Sequence, residues 1–93
     1  MKILIAEDSK LERKHLKDYL RKIEDLNIFE ATNGSEALEI YEREKDIDLV
    51  LLDWIMPIKD GYDVCRTIRK KEKNSKKYTY IIMLTAKSSK EDI

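Results

Sequence analysis

The stretch Asp48-Leu49-Val50-Leu51-Leu52-Asp53 decides how this chain folds. Leu49 to Leu52 is its most hydrophobic run, and a carboxylate stands at either end. So short an apolar run, with no polar alternation, reads as a central strand covered on both faces, as in parallel sheets. Asp53 then emerges at the strand's carboxyl end. Working outward, Lys2 to Ala6 is a second apolar run, ended by Glu7-Asp8. Tyr80 to Leu84 is another, ended by Thr85, and Asn27 to Thr32 completes the set.

Helical patterns lie between these strands. Ser9 with Glu12 forms a capping box. Leu16, Tyr19, Leu20 and Ile23 then recur at helical spacing, which predicts a first helix closing near Glu24 to Leu26. Asn33-Gly34 supplies turn chemistry after strand 2. A second helix carries Ala37, Leu38 and Tyr41 inward and closes near Lys45. The segment from Trp54 to Gly61 is irregular and holds the only proline. Asp60 caps a third helix with Val64, Cys65 and Ile68 on one face, dissolving into the basic run Arg69 to Lys77. Ser88 and Glu91 resemble the start of a fourth. Strands alternating with amphipathic helices predict an α/β fold, a doubly wound parallel sheet with right-handed crossovers.

Composition narrows the function. In 93 residues, 19 basic side chains balance 19 acidic ones, so bulk charge offers no cationic surface for nucleic acid or membrane. The charged fraction, 41%, is high, and its interleaved signs suit solvated helix faces. A single cysteine, Cys65, excludes an internal disulfide or a thiolate metal cage and reads as a packing residue. His15 has no second histidine to join it and reads as a surface residue. No apolar stretch approaches a membrane span, and the N-terminus reaches Glu7-Asp8 too soon for a signal peptide. The expected compartment is the cytoplasm, and residues 1–93 form one domain.

In an open parallel sheet, ligands collect at the carboxyl ends of the strands. Glu7 and Asp8, Asp53 and Thr85 all fall there. Three carboxylates at one edge repel each other, and a hard divalent cation such as Mg²⁺ removes that penalty. A carboxylate beside Mg²⁺ is also a competent nucleophile toward phosphorus, and the Thr85 hydroxyl would donate to a phosphoryl oxygen.

Five segments, in order and spacing, resemble the receiver domain of bacterial two-component response regulators, of the chemotaxis-regulator type. They are Ile3 to Asp8, Ala31 to Leu38, Asp48 to Asp53, Met56-Pro57 with Asp60-Gly61, and Ile82 to Ala86. The resemblance implies a flavodoxin-like sheet of order 2-1-3-4, with helix 1 on one face and helices 2 and 3 on the other. It implies Asp53 as phosphoacceptor, charged from a histidine kinase or histidine phosphotransfer protein. Asp8, Asp53 and the backbone carbonyl of Ile55 would be direct Mg²⁺ ligands, and Glu7 would reach the metal through water. Thr85 would be the switch hydroxyl, while Met56-Pro57 and Gly61 shape one wall. Trp54 would flank the pocket or a partner surface, or simply pack.

The family's fifth strand, with its lysine, and its fifth helix have no counterpart here, and Lys87 lies too soon after Thr85 to be that lysine. The expectation is a domain truncated after strand 4, with phosphotransfer weakened and metal binding retained. Strand 4 becomes an exposed edge, and the chain would form a homo-oligomer through it or by exchanging segments with a second copy. The expected role is a phosphoacceptor signalling module, not an enzyme with turnover. The rival readings are a phosphorylation-independent assembly module and, less well supported, a small Mg²⁺-dependent phosphohydrolase.

Overall fold

The computed structural model describes residues 1–75 and 77–84. Its elements are β1 (Lys2–Ala6), α1 (Lys10–Leu20), β2 (Asn27–Ala31), α2 (Gly34–Arg43), β3 (Leu49–Asp53), α3 (Gly61–Glu72) and β4 (Tyr80–Leu84). The strands form one sheet of order β2-β1-β3-β4, with every pair parallel. Leu4 sits beside Val50 and Val50 beside Ile81, so residues in register share a face across the sheet. That alternation separates two apolar layers.

One layer joins Leu4, Ala6, Val50 and Leu52 to Ala37 and Ile40 of α2 and to Val64 and Ile68 of α3. The other is thinner: Ile3, Ile5 and Leu51 meet Leu16 and Leu20 of α1. α1 has no fully buried residue, because this one helix lies over a face several strands wide. At the far side of that face Tyr80 and Ile82 of β4, the outermost described strand, are 67% and 51% exposed.

Several boundaries differ from the sequence reading. α1 stops at Leu20, not near Glu24 to Leu26. The chain must turn back there to set Asn27 beside Lys2, and Asp25 makes the reversal at φ 60°. Ile23 therefore falls off the helical face, and Tyr19, at the rim of α1, is 76% exposed. β2 ends at Ala31, not Thr32. Asn33-Gly34 is the start of a helix and not a free turn. Asn33 Oδ1 accepts from Glu36 N at 2.8 Å, while Glu36 Oε1 accepts from Thr32 N at 2.6 Å. This reciprocal pair satisfies backbone donors that no helical turn serves. α2 closes at Arg43, just short of the expected end, and turns Ile40 inward together with Ala37. Leu38 and Tyr41 are only half-buried.

α3 does not dissolve at Arg69 but runs to Glu72. Glu72 Oε2 accepts from Thr79 N at 2.5 Å, and Arg69 Nη1 donates to Thr79 O at 2.8 Å and to Glu72 Oε1 at 2.6 Å. Side chains from the last helical turn thus serve both backbone groups of Thr79, which is 2% exposed. An unserved buried amide costs about 1–3 kcal/mol, so this bracket fixes where β4 begins. Thr85, Lys87 and the expected helix start at Ser88 to Glu91 lie outside the described residues.

Candidate metal centre

The carboxyl edge of the sheet brings together the acidic groups expected there. Glu7 and Asp8 follow β1, and Asp53 is the last residue of its neighbour β3. Each offers an oxygen within 4.8 Å of the others. Glu7 is 3% and Asp53 1% exposed, while Asp8 faces water. An octahedral Mg²⁺ with oxygens at about 2.0–2.1 Å spans about 4.2 Å between opposite ligands, and an oxygen that reaches the ion through water lies farther out, so the spacing suits two direct carboxylates and one held through water. Hard oxygen donors, two of them screened from water, also match the cation's preference. The residues fit the ion.

Local chemistry holds each donor. Glu7 N donates to Ala31 O at 3.0 Å, carrying the pairing with β2 one residue beyond β1. Ser9 N donates to Glu7 Oε2 at 2.8 Å, orienting that carboxylate, and Ser9 Oγ accepts from Glu12 N at 3.2 Å to start α1. Across the site, Gly61 N donates to Trp54 O at 2.7 Å and closes the loop after Asp53. A Cβ on Gly61 would run into the carbonyl of Asp53 and the Cα of Trp54, so only glycine lets α3 start this close. Met56 is buried and pins the same loop, whereas Trp54 and Ile55 are 44% and 50% exposed. Trp54 stacks on Tyr62 at 6.5 Å, and the Arg66 guanidinium lies over the Tyr62 ring. Cys65 is half-buried against the core, and His15 is exposed on α1.

Arg13 escaped the sequence reading. Its Nη1 donates to Glu7 O at 2.8 Å and Asp8 O at 3.3 Å, and its Nε to Glu30 Oε1 at 3.1 Å. Glu30 Oε2 also accepts from Lys17 Nζ at 3.0 Å. Lys17 foremost, with Arg13, holds the Glu30 carboxyl below its ordinary range against a weaker opposing effect of burial. A depressed carboxylate stabilises the fold above its unfolded pKa and loses that contribution as pH falls through the folded value. The Arg13–Glu30 pair is therefore in place throughout the neutral range.

One strained residue borders the site. Lys59 N donates to Pro57 O at 2.9 Å, closing a three-residue turn with Ile58 at its centre, at φ 73°. Left-handed backbone costs a β-branched residue about 1–2 kcal/mol, and Ile58 recovers little by burial, being 76% exposed. Ile58→Gly is expected to raise stability by about 1 kcal/mol, net of the extra freedom glycine gives the unfolded chain. Urea denaturation would show a higher midpoint at unchanged slope; a lower midpoint would refute the strain.

A doubly wound α/β sheet with carboxylates from two adjacent strand ends defines a class: an acidic, cation-seeking site at the edge where such folds bind ligands. Comparison with known proteins gives the family. The family model for the response regulator receiver domain matches residues 3–93, and the chain belongs to that family. It is 48% identical over 86 residues to the transcriptional regulatory protein ResD of Bacillus subtilis (strain 168), covering 92% of this chain. The chain spans only 33% of that relative's length. Among solved structures, the co-crystal of the Saccharomyces cerevisiae histidine phosphotransfer signaling protein Ypd1 with the receiver domain of Ssk1 superposes at TM-score 0.83. Identity there is 29%, over 99% of this chain and 68% of that one. The CheX-CheY-BeF3-Mg+2 complex of Borrelia burgdorferi gives TM-score 0.75 at 30% identity, over 99% of this chain and 69% of that one. This is a receiver domain of two-component signalling, with the sheet order expected from the sequence. No helix among the described residues is long and apolar enough to cross a membrane.

Proposed function

We propose that this domain accepts a phosphoryl group on Asp53 from a histidine kinase or histidine phosphotransfer protein, with Mg²⁺ as cofactor. The observation that carries the reading is the position of Asp53: nearly buried, at the end of a central strand, with its oxygen within 4.8 Å of oxygens from Glu7 and Asp8. Asp8, Asp53 and the carbonyl of Ile55 would hold the metal directly, and Glu7 through water. The ion would neutralise charge on the carboxylates and on the incoming phosphoryl oxygens. An Asp53 oxygen attacks phosphorus in line, the new O–P bond forming as the donor's P–N bond breaks, and the imidazole leaves with the electron pair. Gly61 lets α3 start against the backbone carbonyl of Asp53, and Thr85 would supply a hydroxyl donor to the transferred group.

Two structural relatives support this reading: the yeast neighbour is in complex with a histidine phosphotransfer protein, and the Borrelia neighbour with Mg²⁺ and beryllium fluoride. The domain is used stoichiometrically, as a carrier and not as an enzyme with turnover, and works in the cytoplasm. Incubation with a small acyl phosphate and Mg²⁺ should add one phosphoryl group by mass spectrometry, removable by hydroxylamine. The gain should vanish with chelator and in Asp53→Asn. Phosphorylation that persists in Asp53→Asn, or none in the unaltered chain, would overturn the assignment.

A further inference from the structure

The β1–α1 loop carries two of the acidic donors, yet it is short, and Asp8 within it is exposed. What holds its backbone is a side chain from the next helix turn. Arg13 Nη1 is shared between the consecutive carbonyls of Glu7 and Asp8, at 2.8 and 3.3 Å. The other side of the guanidinium is fixed by Glu30 on β2, itself held by Lys17. The Arg13 side chain is only 13% exposed, so the fork sits largely out of water and its rotamer is constrained. The same two residues each offer a carboxylate oxygen within 4.8 Å of one from Asp53, and Ser9 N adds a second restraint on Glu7.

We propose that Arg13, oriented by Glu30, is a positioning residue that sets the Glu7–Asp8 spacing for a small divalent cation. This inference rests on the metal-dependent reading above. Two effects of the guanidinium oppose each other. Its positive charge repels a cation, but Glu30 largely neutralises it, and interactions near a surface are screened. Its two charge-assisted bonds to the loop, in contrast, remove freedom that a bound ion would otherwise have to remove. Geometry outweighs charge. Lysine has the charge but not the planar fork, so it cannot reach both carbonyls and Glu30 together.

Size selectivity should depend on the same clamp. Mg²⁺ demands near-ideal ligands at about 2.0–2.1 Å, whereas Ca²⁺ accepts about 2.3–2.6 Å in looser shells. A loosened loop therefore penalises Mg²⁺ more.

The test is titration of the full chain with MgCl₂ and with CaCl₂, followed by Trp54 fluorescence and calorimetry, well below each variant's melting temperature. Arg13→Lys and Glu30→Gln should each raise the Mg²⁺ Kd by about tenfold, the scale typical of groups that orient ligands, with a smaller change for Ca²⁺. Lys17→Gln removes the second partner of Glu30 without touching the loop carbonyls, and should stay within about threefold of the unaltered chain, the size of an exposed ion pair. Unchanged Mg²⁺ affinity in Arg13→Lys, or equal losses for both ions, would overturn the proposal. Tighter Mg²⁺ binding in Arg13→Gln would do the same, since charge would then outweigh geometry. Failure of the unaltered chain to bind Mg²⁺ would instead remove the functional reading on which the inference stands.

Discussion

Asp8→Asn and Asp53→Asn should abolish the Mg²⁺ response of Trp54 fluorescence, raising the apparent Kd by more than about 100-fold. Orienting groups alone are typically worth about 10–100-fold, and these side chains would touch the ion. Each substitution removes a unit of negative charge and a hard oxygen donor while keeping size and shape. Trp54 directly follows Asp53 and is stacked on Tyr62, so closure of the site around an ion changes the surroundings of the indole. The same variants carry an opposite expectation for the metal-free protein. Three carboxylates within 4.8 Å repel one another, so losing one should raise the melting temperature in chelator. Added Mg²⁺ should raise that temperature in the unaltered chain only. Retained Mg²⁺ binding in both variants would mean that the acidic cluster is not the metal centre.

Gly34→Ala should produce the largest loss of stability. Alanine in place of glycine within a helix is ordinarily favourable by about 1 kcal/mol. Here Gly34 opens α2 against the β3–α3 loop, and a Cβ would strike the carbonyl oxygen and carbon of Lys59 as well as its Cβ. Backbone cannot swing aside as a flexible side chain can. The contact lies between Asn33, which caps α2, and the loop ending at Asp60, which caps α3, so separating them disturbs two helix starts at once. A net loss of about 2 kcal/mol is expected, lowering the melting temperature by about 10 °C in a domain of this size. A melting temperature equal to or above that of the unaltered chain would show that the loop yields freely. Because Lys59 borders the turn at Ile58, the variant should also disturb the loop that carries Trp54 and Ile55.

The particular residues show how much could be read without coordinates. Leu49 to Leu52 and Lys2 to Ala6 were legible because a buried parallel strand carries apolar residues on both faces, a local property of the run. The acidic site followed, since strand ends in an open parallel sheet gather at one edge. Glu7, Asp8 and Asp53 meet there as expected. The end of α1 was not legible: Ile23 continues the helical spacing beyond Leu20, and only the need to bring Asn27 beside Lys2 stops the helix. Asn33-Gly34 was misread because the same dipeptide serves a turn or a helix start. The choice is made by Glu36 reaching back and Lys59 pressing against Gly34. The extent of α3 depended on Thr79, whose amide Glu72 captures across the bend into β4.

Read alone, then, the amino-acid order determined the alternating strands and helices, the parallel sheet and the identity of the acidic groups at its edge. These depend on hydrophobic period and on capping, both local in the chain. Tertiary structure decided what spans distance. It set the closeness of Glu7 and Asp8 to Asp53, the hold of Arg13 and Glu30 on the loop that carries them, and the approach of Gly61 to the carbonyl of Asp53. Sequence spacing carries no signal for such contacts, because they exist only once the sheet has brought strand ends and helix starts into register.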